Sequence, residues 1–139
     1  MNMNVVEEIR HPLLVLKLNS IRNMSKGRDE LRSPLGEVAT FMVYEALRSL
    51  PLEKRKIKTW VGEREFDFFR EESILFVPIL RAGLPMLDGA LRAVPRSRFG
   101  FLAIRRDEET LESKVYYFRL PNVPDIHSSL PTFACLTAC

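Results

Sequence analysis

The chain has 139 residues, 46% of them hydrophobic, with 21 basic and 18 acidic side chains and a formal net charge of +3. That length and apolar content exclude wholesale disorder and suit one ordinary domain, and no apolar run reaches the ~20 residues of a membrane helix. The basic excess is mild and lacks a dense Lys/Arg block with interleaved aromatics, so a small anion is the expected partner, without nucleic acid or membrane.

The start, Met1 to Glu8, has no basic segment leading into an apolar one. No signal peptide is expected, and the cytoplasm is the expected compartment. His11 to Asn23 follows with Pro12 in a first helical turn and Leu14, Leu18 and Ile21 at helical spacing, which predicts a short helix. Ser25 to Arg32 is a polar connection. Ser33 then offers a cap and Pro34 a first helical position, with Leu35, Val38, Met42, Ala46 and Leu50 along one face and Pro51 as a stop. A core-packing helix is the expectation.

From Arg55 to Arg70 the pattern alternates about Gly62, with Ile57, Thr59 and Val61 before it and Phe66 and Phe68 after. This predicts a hairpin or a pair of short strands. Trp60 suits packing or an interface better than ligand stacking.

Ile74 to Leu80 is a continuous apolar run of strand length, as expected of a strand covered on both faces. Pro78 has no N–H for a ladder, so the pairing should loosen just before Arg81. Gly83 permits conformations closed to other residues. Pro85 opens a helix whose buried stripe is Met86, Leu87, Ala90, Leu91 and Val94, ended by Pro95. Phe99 to Ile104 reads as the next strand. Strand, turn, helix and strand make the building unit of a parallel sheet with helices outside it, hence an α/β fold. Arg105 to Lys114 is charged and turn-like, and Val115 to Leu120 reads as a returning strand. After Leu120, Pro121, Pro124 and Pro131 interrupt a segment with no clear period. The two cysteines, Cys135 and Cys139, lie at the end. They do not make a disulfide framework, and with His127 they fall one ligand short of a structural zinc site.

In open α/β sheets, ligands sit beyond the carboxyl ends of the strands. Arg81 follows one predicted parallel strand and Arg106 the next, so both should point to the same crevice. Two permanently charged forks there suit a diphosphate. Equally, they could be surface arginines paired with Asp88, Asp107 or Glu108.

A set of strings bears on that choice: His11-Pro12-Leu13 with Lys17-Leu18, Tyr44-Glu45-Ala46, Val77 to Leu84 with Met86 and Asp88-Gly89, Arg106 to Leu111, Tyr116-Tyr117 and Leu120-Pro121. In order and spacing they resemble the uracil phosphoribosyltransferases over about residues 10 to 121. The resemblance implies a phosphoribosyltransferase-type, partly parallel sheet with flanking helices, incomplete at the C-terminus. It implies Arg81 and Arg106 as contacts to 5-phosphoribosyl 1-diphosphate, with Arg81-Ala82-Gly83 as the diphosphate loop. It implies uracil as the second substrate, UMP and diphosphate as products, no protein nucleophile, Mg²⁺ held chiefly by the donor's oxygens, and a homo-oligomer. Arg105 stands where the family usually has tyrosine or another uncharged residue; it would reinforce diphosphate binding or face solvent.

Two family signatures are missing. The Asp-Pro-Met-Leu-Ala-Thr-Gly-Gly loop, which holds the donor's 5′-phosphate, should begin near Phe133, where the chain reads Phe133 to Cys139. No glycine follows Gly100, and a phosphate-cradling loop needs glycine for close backbone approach. The Gly-Asp-Ala-Gly-Asp segment that reads uracil is also missing. The expectation is a family segment over 1–121 and a divergent tail over 122–139, in the manner of a truncated reading frame. Such a chain would be a transferase by lineage or a non-catalytic remnant or pairing subunit, with an open strand edge.

Overall fold

The computed structural model of the chain describes residues 8–23, 27–107, 109–121 and 133–136. Readings that touch residues 1–7, Ser25, Glu108, His127 and Cys139 lie outside them. Among the described residues, three α-helices and seven strands form a mixed α/β fold with a partly parallel sheet.

Helix α1 spans Pro12–Arg22. His11 caps it, since its Nδ1 accepts from the Leu13 N–H at 3.2 Å, which satisfies one of the first-turn donors. The same ring stacks on Phe41 of the next helix at 6.2 Å, and Lys17 is ion-paired to Glu37 there. The His-Pro and Lys-Leu steps therefore dock α1 onto α2.

Helix α2 spans Arg32–Ala46 and runs on from a 3-10 turn at Arg28–Leu31. Ser33 is not its cap: Leu31 holds that position, and the Ser33 hydroxyl instead donates to Glu37 at 3.3 Å. The buried face is also turned from the expected stripe. It consists of Gly36, Val38, Ala39 and Val43, with Met42 and Ala46 exposed. A small-residue face won because α2 must approach its partner helix closely.

That partner is α3, Leu84–Ala93. A Cβ on Gly89 would lie 1.8 Å from the Gly36 carbonyl oxygen, so the two backbones touch where both residues are glycine. The Thr40 hydroxyl sits at this crossing, 3.1 Å from the Gly36 carbonyl and 3.0 Å from that of Gly89. Met86, Leu87, Ala90 and Val94 of the expected stripe are buried, and Leu91 is half-buried against them. With Ala39 and Val43 of α2 they pack on Ile74 and Phe76.

The strands are β1 Glu53–Thr59, β2 Gly62–Phe68, β3 Leu75–Leu80, β4 Arg98–Phe99, β5 Phe101–Arg106, β6 Ser113–Arg119 and β7 Phe133–Leu136. β1 and β2 form a separate antiparallel hairpin, with Thr59 opposite Gly62. Gly62 has φ +111, the positive φ that a tight hairpin turn calls for. In the main sheet β3 is central. It pairs in parallel with β4 at Leu75↔Arg98 and Phe76↔Phe99, with β5 at Ile79↔Leu102 and Leu80↔Ala103, and on its other edge with β7 from Leu75↔Phe133 to Pro78↔Leu136. β6 returns antiparallel on β5.

The constant offset shows that β4 and β5 are one line of chain, interrupted at Gly100. The Gly100 N–H donates to the Phe76 carbonyl at 2.9 Å. The next rung of a parallel ladder would run from residue 78 to the Gly100 carbonyl, and Pro78 has no N–H to give. The interruption thus falls at Pro78 itself; just before Arg81, where the sequence pattern indicates loosening, Ile79 and Leu80 are paired with β5. Gly83 is likewise ordinary, at φ −76; its left-handed freedom is unused. The strand at 133–136 is an element the sequence pattern did not show.

Candidate functional site

Because β3 and β5 are parallel neighbours, their carboxyl ends reach the same sheet edge. Arg81 directly follows β3, across a cis Leu80–Arg81 peptide. The turn is closed by the Gly83 N–H donating to the Ile79 carbonyl at 2.9 Å and the Leu84 N–H donating to the Arg81 carbonyl at 3.2 Å. Arg106 is the last residue of β5. Both side chains line one open crevice of about 650 Å³, together with Leu80, Ile104, Arg105 and Tyr116.

Of the four residues singled out from sequence, the crevice brings together Arg81 and Arg106. Ala82 lines a neighbouring concavity, and Gly83 is buried beneath the turn. Arg105 is exposed yet contributes to the crevice wall. Tyr116 is a wall residue that sequence reasoning left out. The register passes from Ala103↔Tyr117 to Ile104↔Val115, so Tyr116 is the extra residue of a β-bulge. Bulges re-aim side chains, and an alternating strand pattern carries no sign of one; the Tyr-Tyr pair was the available signal.

Of the carboxylates that could have neutralised these arginines, Asp88 and Asp107 are engaged elsewhere. Asp88 is ion-paired to Arg92. Asp107 accepts from the Glu109 N–H at 2.9 Å and the Thr110 N–H at 3.0 Å. Those amides hold its carboxyl below the usual aspartate range, because hydrogen bonds to the charged form favour it. The same turn is tied by the Asp107 N–H to the Glu112 carbonyl at 2.8 Å and by Leu111 at φ 59. Among the described residues, neither Arg81 nor Arg106 has an ion-pair partner. The result is a crevice with three guanidinium groups, one phenol, two aliphatic walls and no carboxylate in its lining. Chemically it can receive a multiply charged oxyanion through bidentate, charge-assisted hydrogen bonds. No group of three or more metal-binding side chains occurs among the described residues.

Comparison with known proteins gives this geometry a context. Residues 8–130 match the family model for uracil phosphoribosyltransferase. A uracil phosphoribosyltransferase of Aquifex aeolicus is 47% identical over 119 residues, covering 86% of this chain and 57% of the relative. One from Lactobacillus gasseri is 42% identical over 118 residues, covering 85% and 56%. A solved structure of an Aquifex aeolicus protein superposes with a TM-score of 0.86 at 43% identity, covering 96% of this chain and 62% of that one. The chain thus spans a little over half the length of the curated relatives it matches.

Proposed function

The chain belongs to the uracil phosphoribosyltransferase family, and from that premise we propose that its crevice between β3 and β5 seats the diphosphate of 5-phosphoribosyl 1-diphosphate. Arg81 and Arg106 are the proposed donor contacts, with Ala82 and Gly83 shaping the turn that presents Arg81. The observation that carries this reading is the convergence of two guanidinium groups, without carboxylate partners among the described residues, on one crevice.

The proposed reaction is that of the family names. The bond between ribose C1 and the diphosphate oxygen breaks as N1 of uracil bonds to C1; the N1 proton passes to water, and UMP and diphosphate result. The burden on the protein is to stabilise charge on the departing diphosphate beside an oxocarbenium-like sugar. Fixed arginines supply that without a protein nucleophile. Magnesium belongs to this reading only as an ion carried on the donor's oxygens and water, since the crevice lining has no carboxylate.

The family reading also proposes a cytoplasmic homo-oligomer. Among the described residues no helix is long and apolar enough to cross a membrane. Pairing of copies is proposed at the β1–β2 hairpin, which is exposed along nearly its whole length and carries Trp60, 96% exposed, at its tip.

Incubating the purified chain with uracil, donor and Mg²⁺ and following UMP tests the reaction. UMP above the uncatalysed background supports it; donor binding without UMP supports the alternative, a donor-binding, non-catalytic member of the family.

A further inference from the structure

The carboxyl end of β5 carries two arginines in succession, Arg105 and Arg106. Neighbouring strand residues normally face opposite sides of a sheet, yet both line the crevice that Arg81 enters, because that crevice lies at the strand's end. Arg105 is exposed, and among the described residues it has no ion-pair partner. In the ladder it stands directly opposite Lys114 of β6, a placement of like charges that costs stability. Lys114 is itself exposed, and its ion pair with Glu112 is long, at 4.0 Å. Away from Arg81, Arg105, Arg106 and Lys114 share a further concavity with Asp107 and Glu109, so the charge there is mixed. Toward Arg81, Arg105 and Arg106 meet Leu80, Ile104 and Tyr116 without a carboxylate in the lining. An anion is drawn to that side, where three cations over apolar walls focus positive potential. Folding alone gives no reason for a cation opposite Lys114; a bound oxyanion does.

We propose that Arg105 is a third diphosphate contact, and that it holds the released diphosphate more strongly than the intact donor. This rests on the donor seat proposed above and deepens it. As the C1–O bond breaks, its electron pair stays on the diphosphate oxygen, so the group gains negative charge on leaving the sugar. An exposed, unpaired guanidinium acts mainly through its charge, and coulombic attraction scales with the charge of the ligand. Arg105 therefore ranks ligands by charge and makes inorganic diphosphate a strong competitor of the donor.

Calorimetric titration of the full chain with inorganic diphosphate and, separately, with 5-phosphoribosyl 1-diphosphate, each with Mg²⁺, tests this. Arg105→Gln should weaken diphosphate binding by roughly tenfold and donor binding by a smaller factor. Arg105→Lys, which restores the charge, should recover most of the diphosphate affinity. The ligand-free thermal midpoint of Arg105→Gln should hold or rise, because the like-charge pair with Lys114 is relieved. A lowered midpoint makes Arg105 a structural residue and overturns the proposal. Unchanged diphosphate affinity in Arg105→Gln, an equal loss for both ligands, or no recovery in Arg105→Lys also overturns it, and leaves the donor seat standing where Arg106→Ala weakens both ligands. Absence of binding by the wild type, or unchanged affinity of Arg106→Ala for both ligands, removes the donor seat itself and this proposal with it.

Discussion

The α2–α3–β3 block and the β1–β2 hairpin are built on opposite plans. In the first, Ala39, Ile74 and Ala90 are completely buried, and two glycines let helices touch backbone to backbone. In the second, one face is a ladder of Lys54↔Asp67, Lys56↔Glu65 and Lys58↔Glu63, and the other carries Ile57, Phe66 and Phe68. Ile57 and Phe66 remain exposed. A two-stranded hairpin is marginal alone, so local pairing by itself gives it little stability. The contrast separates two kinds of substitution. Substitutions in the block should act on stability, whereas substitutions in the hairpin should act on whatever docks there.

The contrast can be broken most forcefully at Phe76. Phe76→Ala removes a fully buried ring from between the sheet and both helices and should cost about 4 kcal/mol in denaturant unfolding. Gly89→Ala adds a single methyl where the Gly36 backbone stands and should cost about 3 kcal/mol by forcing α2 and α3 apart; the same assay reads it, and a neutral result would mean the helices are not in contact. Smaller is the effect of acid at the turn that ends β5. Asp107 is held below its ordinary range by two backbone amides. Its contribution is therefore present above the unfolded-state value and lost as pH falls through the lower folded one. Asp107→Ala should flatten that acid-side loss in a pH series of thermal midpoints. Smallest of all, Trp60→Ala should change chain stability by less than about 0.5 kcal/mol, while lowering the sedimentation-measured association if the hairpin pairs copies.

Much of this is legible in the sequence. The helices, the hairpin about Gly62 and the β3–α3–β5 unit follow from periodicity and punctuation by proline and glycine. Their physical causes are local, so local sequence shows them. The helix face of α2 was misread because its orientation is set by a glycine contact 53 residues away, between Gly36 and Gly89, rather than by its own apolar spacing. Ser33 lost its capping role because the chain enters α2 already helical. β7 was invisible because four apolar residues after a run of prolines show no period; its pairing with β3 is purely tertiary. At the site, strand order and parallel direction sufficed to bring Arg81 and Arg106 together. The place of Tyr116 depended on a bulge, and the loss of carboxylate competition on Asp107 folding back onto its own turn.

In the proposed function the crevice between β3 and β5 holds the donor's diphosphate through Arg81 and Arg106. Calorimetric titration of the wild type and Arg106→Ala with 5-phosphoribosyl 1-diphosphate and Mg²⁺ tests it most directly. Saturable binding by the wild type is expected, with roughly tenfold to a hundredfold weaker binding by the variant, at an unchanged thermal midpoint because Arg106 is exposed. Equal affinity in the two proteins would contradict it.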